Sequence, residues 1–124
     1  MFEVTIEETF AAGHALRNYK GKCENVHGHN YRCEVSLAGE DLDEAGLLVD
    51  FVELKKVVHA VIDRMDHQWL NDLPPFDKLN PSAENMARHI FEEVEAGLPA
   101  RPGVEIRLVR LWETDTSSAT YRKS

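Results

Sequence analysis

The chain opens on a strict alternation. Phe2, Val4 and Ile6 stand against Glu3, Thr5 and Glu7, which predicts a half-buried strand over 2–10. The same period of two returns at 31–37, with Tyr31, Cys33, Val35 and Leu37 against Arg32, Glu34 and Ser36. The stretch between them, 13–29, is polar, contains Gly and is too long for a tight hairpin. Loops beyond ~12–15 residues in a compact domain are usually functional or disordered. After an acidic connection, Asp50 reads as an N-cap with Glu53 in the capping-box position. Phe51, Leu54, Val58, Val61, Ile62 and Met65 then recur at helical spacing, which predicts a helix ending near Asp66. Residues 71–81 hold three prolines and read as loop. Ser82 caps a second helix, whose stripe is Ala83, Met86, Ala87, Ile90, Phe91 and Val94. Gly97, Pro99, Pro102 and Gly103 break it, and strands follow over 104–112 and 118–122. This order predicts an α+β fold: a four-stranded antiparallel sheet with both helices on one face. Alternating edge strands invite pairing with another subunit, so an oligomer is expected.

Length and charge narrow the function. At 124 residues the chain fits one domain, 1–124, able to bury a core without staples. With 14 Lys and Arg against 22 Asp and Glu, the net charge of -8 argues against general nucleic-acid binding, which needs a basic footprint. A small anionic substrate held by a local basic cluster stays open. No apolar run approaches the ~20 residues of a membrane span, and the N-terminus lacks the form of a signal peptide. The expectation is a cytoplasmic protein with free thiols. Two cysteines are too few for a disulfide framework, although counting leaves a Cys23–Cys33 bridge open.

Several side chains could carry chemistry. In His27-Gly28-His29, two histidines at i and i+2 on extended chain share a face, and Gly between them lets the backbone come close. His14, behind Ala-Ala-Gly, is the natural third member of a zinc site, because a catalytic zinc takes three protein ligands and keeps one position open. The alternative is a loop with surface histidines. Cys23 lies among polar and basic groups that favour a thiolate, or it is an ordinary loop thiol or a fourth zinc ligand. Cys33 sits on the apolar face of a strand and reads as core. In Asp66-His67 a carboxylate stands beside an imidazole whose tautomer it can fix, or the pair simply closes a helix. Glu113 at a strand end can take the N–H edge of a flat heterocycle, or be surface. Arg17, Lys20 and Lys22 are either a solvated run or a phosphate-binding patch.

Together these residues make the chain similar to the 6-pyruvoyltetrahydropterin synthase family, most of all to its bacterial branch, the 6-carboxytetrahydropterin synthases of queuosine (tRNA-modification) biosynthesis. The match runs nearly the whole chain. It includes Phe10-Ala-Ala-Gly-His14, Cys23-x3-His27-Gly-His29, Leu48-Val-Asp50-Phe51, Asp66-His67 with Leu70-Asn71, Asn80-Pro81-Ser82 with Glu84-Asn85, and Trp112-Glu113-Thr114. The resemblance implies the tunnelling (T-) fold, with sheets joined into a trimeric barrel and two barrels stacked as a homohexamer. It implies Zn2+ on His14, His27 and His29, a proton-transfer triad of Cys23, Asp66 and His67, and a pterin anchor at Glu113, with Thr114 beside it. It also implies 7,8-dihydroneopterin triphosphate as substrate, with release of acetaldehyde and triphosphate. Arg17, Lys20 and Lys22 are expected to hold the triphosphate. Two departures bear on the product. Three residues separate Cys23 from His27, where the animal pyruvoyl synthases have five, which disfavours a pyruvoyl product. Glu24 directly after Cys23 resembles a subset in which a Glu takes the base role and 6-hydroxymethyl-7,8-dihydropterin is formed for folate synthesis. A zinc-dependent pterin-binding protein without turnover is the alternative of a different class.

Overall fold

A computed structural model of the chain describes residues 1–18 and 25–123. The elements run β1 (Phe2–His14), β2 (His27–Gly39), α1 (Phe51–Asp63), β3 (Gln68–Trp69), a 3-10 turn (Leu70–Asp72), α2 (Ala83–Gly97), β4 (Val104–Thr114) and β5 (Ser117–Arg122). The sheet is five-stranded, in the order β3-β1-β2-β4-β5. This corrects the expected four-stranded antiparallel sheet. The added strand, β3, is two residues long and pairs parallel to β1, Ala12 with Gln68 and Gly13 with Trp69. A pair that short carries no periodicity to read.

The first two strands are longer than their alternation suggests. They stay paired from Phe2 opposite Gly39 to His14 opposite His27. Backbone pairing continues through Ala11-Ala12-Gly13, where hydrophobic contrast has faded. Residues 13, 14 and 27–29 of the expected loop are therefore strand, and all three histidines sit on strand ends. Helix α1 stops at Asp63, short of the expected Asp66. Its N-cap is as expected: the Asp50 carboxylate accepts from the Val52 N–H at 2.8 Å. Ser82 caps α2 by accepting from the Asn85 N–H at 3.1 Å.

Both helices turn their apolar stripes onto the sheet face that carries Ile6, Phe10, Tyr31, Val35, Val109 and Leu111. Leu54, Val58, Ile90 and Phe91 are fully buried there. Each such side chain removed from water contributes about 1.5–3 kcal/mol. Phe51 departs from its expected place: it heads the helix and is 46% exposed. Cys33 is a free thiol buried in this core, as its strand phase indicates, so it forms no bridge with Cys23. Burial above all, with Glu8 and Glu34 nearby, pushes it up to about 12, so it stays a neutral, packed thiol. Among the described residues no helix is long and apolar enough to cross a membrane.

Candidate metal centre and active site

Strand phase brings the histidines together. His14 continues the inward series Ile6, Phe10, Ala12, and His27 and His29 continue the series Tyr31, Cys33, Val35. One ring nitrogen from each of His14, His27 and His29 lies within 4.8 Å of the other two. The rings meet edge-on, with centroids 4.5–5.0 Å apart.

The hydrogen bonds around this cluster suit a metal. His14 Nδ1 is 2.8 Å from the Pro81 carbonyl, and His27 Nδ1 is 2.9 Å from that of Asn25. A carbonyl only accepts, so both Nδ1 atoms carry the proton. In the neutral rings the Nε2 lone pairs are left as donors. His14 Nε2 is buried and makes no hydrogen bond among the described residues. With one ring nitrogen from His29, three stand together, the number a protein contributes to a catalytic zinc. Gly28 does less than its position suggested: a Cβ there would sit 3.6 Å from the Ala12 carbonyl, an ordinary contact.

A family profile described as 6-pyruvoyl tetrahydropterin synthase matches residues 3–124. The chain belongs to the 6-pyruvoyl tetrahydropterin synthase family. A 6-carboxy-5,6,7,8-tetrahydropterin synthase of Bacillus subtilis is 36% identical over 129 residues, covering 98% of this chain and 85% of the relative. A dihydroneopterin monophosphate aldolase of Pyrococcus furiosus is 36% identical over 105 residues, covering 85% and 83%. The solved 6-pyruvoyl tetrahydropterin synthase of Caenorhabditis elegans superposes with a TM-score of 0.84 at 33% identity, covering 100% of this chain and 98% of that one. This likeness places the fold among the T-fold proteins, as expected.

Glu113 joins the cluster by the alternation of β4. Leu111 points inward and Trp112 outward, where its Nε1–H donates to Glu34 Oε2 at 3.0 Å. Glu113, next in the alternation, turns to the inward face with Val109 and Leu111, while the pairing with β5 slips between Trp112 and Thr114. Glu113 Oε1 stands 3.2 Å from His14 Nε2 and 3.7 Å from His29 Nε2. Its side chain is 30% exposed, so one carboxylate faces both the cluster and solvent. Burial, with Glu113 beside it, raises the Tyr31 phenol above its ordinary range and keeps it protonated. Thr114 Oγ1 accepts from the Thr116 N–H at 3.3 Å in the β4–β5 turn.

Asp66 and His67 are fastened to the edge of β1. The Asp66 Oδ1 accepts from the Ala11 N–H at 3.0 Å, and the His67 N–H donates to the Ala11 carbonyl at 2.6 Å. His67 takes a left-handed backbone (φ 60°), which a non-glycine residue adopts only where its surroundings hold it. Its Nδ1 lies 3.0 Å from Asp66 Oδ1 and the ring is 80% exposed. The pair is separate from the three-histidine group. His67 and His29 both border an open cavity of about 420 Å³ over the small residues Ala11, Ala12, Gly13 and Gly28. The missing side chains of the two glycines keep that floor low.

The Ala11 amide, with His67 beside it, holds the Asp66 carboxyl below the usual carboxylate range. Its folded value lies below its unfolded one. The stabilisation is therefore fully present above about pH 3.9 and is lost as the pH falls through the lowered value. Asp66→Ala is expected to flatten this limb of the acid-unfolding curve followed by circular dichroism. A limb identical to that of the unaltered protein would mean the carboxyl titrates alike in both states.

Cys23, Glu24, Lys20 and Lys22 lie outside the described residues. Arg17 has partners other than a phosphate: its guanidinium donates to backbone carbonyls of Asn71, Phe76 and Leu79. Sequence reasoning missed what holds the histidines in place. Asn71, Asn80 and Pro81 stood out only as matched motif positions, with no role attached.

Proposed function

We propose that the protein is a zinc-dependent 6-carboxy-5,6,7,8-tetrahydropterin synthase, a lyase that converts 7,8-dihydroneopterin triphosphate with release of acetaldehyde and triphosphate. The observation that carries this reading is the cluster of three histidines, two of them with Nδ1 protons anchored on carbonyls. The Bacillus subtilis relative and the three-residue spacing from Cys23 to His27 favour the carboxy product.

His14, His27 and His29 would hold the metal, and zinc bound there would supply a Lewis acid and template for the vicinal hydroxyls of the substrate side chain. Cys23 as thiolate takes the proton from the side-chain carbon next to the ring. His67 moves protons at the far end of the side chain; its Nδ1–H faces Asp66, which leaves Nε2 for the transfer. Glu113, with Thr114, holds the N–H edge of the pterin ring and so positions the reacting carbons. Lys20 and Lys22 are the cations assigned to the triphosphate.

The assembly proposed is a homohexamer of two stacked trimers. The edge strand β5, partly exposed along its length, supports this, because an uncovered edge is a template for pairing. The compartment proposed is the cytoplasm, and the product is assigned to queuosine biosynthesis.

A second reading has its own support. Glu24 follows Cys23 directly, and the Pyrococcus furiosus relative is named an aldolase of dihydroneopterin monophosphate. Glu24 would then act as base, and 6-hydroxymethyl-7,8-dihydropterin would form beside or instead of the carboxy product. Mass spectrometry of products from zinc-loaded protein and 7,8-dihydroneopterin triphosphate decides. Carboxytetrahydropterin with acetaldehyde is expected. Hydroxymethyl product would favour the second reading, pyruvoyl product alone would overturn the spacing argument, and no product would favour a binding protein.

A further inference from the structure

Directly after His14 the chain leaves the sheet. The backbone of Ala15 and Arg17 does not go unpaired there. Asn71 Oδ1 accepts from the Ala15 N–H at 2.9 Å, and Asn71 Nδ2 donates to the Ala15 carbonyl at 2.8 Å. Two residues on, Asn80 repeats the pattern: Oδ1 accepts from the Arg17 N–H at 2.8 Å, and Nδ2 donates to the Arg17 carbonyl at 2.9 Å. An amide side chain carries the donor and acceptor of a peptide group. Two asparagines thus stand in for the neighbouring strand that residues 15 and 17 lack.

The clasp closes from the other side. Arg17 Nη1 donates to the Leu79 carbonyl at 3.2 Å, and Nη2 to those of Asn71 at 3.0 Å and Phe76 at 2.6 Å. Asn85 Nδ2, in the first turn of α2, donates to the Asn80 carbonyl at 2.9 Å. The residue between Asn80 and the helix cap is Pro81, whose carbonyl receives the His14 Nδ1 proton. Both the chain carrying His14 and the carbonyl orienting its ring are therefore held by one polar lattice.

We propose that Asn71, Asn80 and Arg17 are positioning residues for the metal: they hold His14 and the Pro81 carbonyl in register, and so set how tightly the three histidines bind zinc. This rests on the metal reading above and goes beyond it by assigning the control of affinity to Arg17 and to a segment more than fifty residues beyond His14. Partners of metal-bound histidines typically govern affinity by 10–100-fold.

The test is metal binding by the full chain, independent of turnover. Zn2+ affinity is measured by competition with a chromophoric chelator, and coordination by the visible absorption of the Co2+ form. Asn71→Ala, Asn80→Ala and Arg17→Ala are each expected to weaken Zn2+ binding about 10–100-fold and to change the Co2+ spectrum. Val94→Ala, a truncation of the buried core away from this loop, should lower stability and leave both readouts unchanged. If Asn80→Ala does not fold, Asn71→Asp serves, because it keeps the acceptor for the Ala15 N–H and loses the donor to the Ala15 carbonyl. Folded variants with unaltered Zn2+ affinity and Co2+ spectrum would overturn the clasp and leave the metal reading standing. An unaltered protein that binds neither metal would overturn both.

Discussion

His29→Ala is expected to lower Zn2+ affinity roughly 10²–10³-fold and to abolish turnover at metal concentrations that saturate the unaltered protein. Apparent binding energies of structural zinc sites are about 10–16 kcal/mol over four ligands, so one ligand contributes roughly 3–4 kcal/mol. His29 is half-buried at the end of β2, so its removal costs the core little. The loss should exceed that from the Asn71 and Asn80 variants, since a donor is removed rather than loosened. Unchanged zinc content after dialysis against a chelator would rule out the three-histidine site. Zinc-free protein should remain folded and be inactive, because the helix-packed core extends well beyond the histidines.

Cys23→Ala is expected to retain zinc and pterin and to lose about 10²–10⁴-fold in kcat, the usual contribution of a positioned base, or about 3–5.5 kcal/mol of barrier. Single-turnover product formation and ligand binding by fluorescence separate the two effects. Carboxytetrahydropterin formed at the original rate would remove Cys23 from the mechanism. If hydroxymethyl product persists while carboxy product disappears, the base for that reaction is elsewhere, and Glu24→Gln should abolish it. A protein that binds pterin equally with and without Cys23 and turns over neither would be a binder.

Local pattern made much of the molecule readable. The alternations around Ile6 and Val35 marked two strands, because a sheet buried on one face imposes a period of two. The stripes from Leu54 to Met65 and from Met86 to Val94 marked two helices with Asp50 and Ser82 as caps. The i, i+2 spacing of His27 and His29 placed both on one face, and an Ala-Ala-Gly run before His14 pointed to the third.

What stayed hidden was long-range. β3 is two residues long, and its place beside β1 depends on Ala11 bonding both Asp66 and His67. Glu113 looked free to face a ligand at a strand end, whereas in the fold its carboxylate stands against His14 and His29. Arg17 sat in a basic run that suggested phosphate, yet its guanidinium binds carbonyls 54 to 62 residues ahead.

The sequence by itself determined the four long strands, the two helices, the burial face of each and the residue types able to bind a metal, because these follow from interactions between near neighbours along the chain. The tertiary structure alone decided which nitrogen each of two histidines presents, what the Glu113 carboxylate meets and what holds the chain after His14. Each of those depends on a hydrogen bond or strand register whose partner is set by the packed fold.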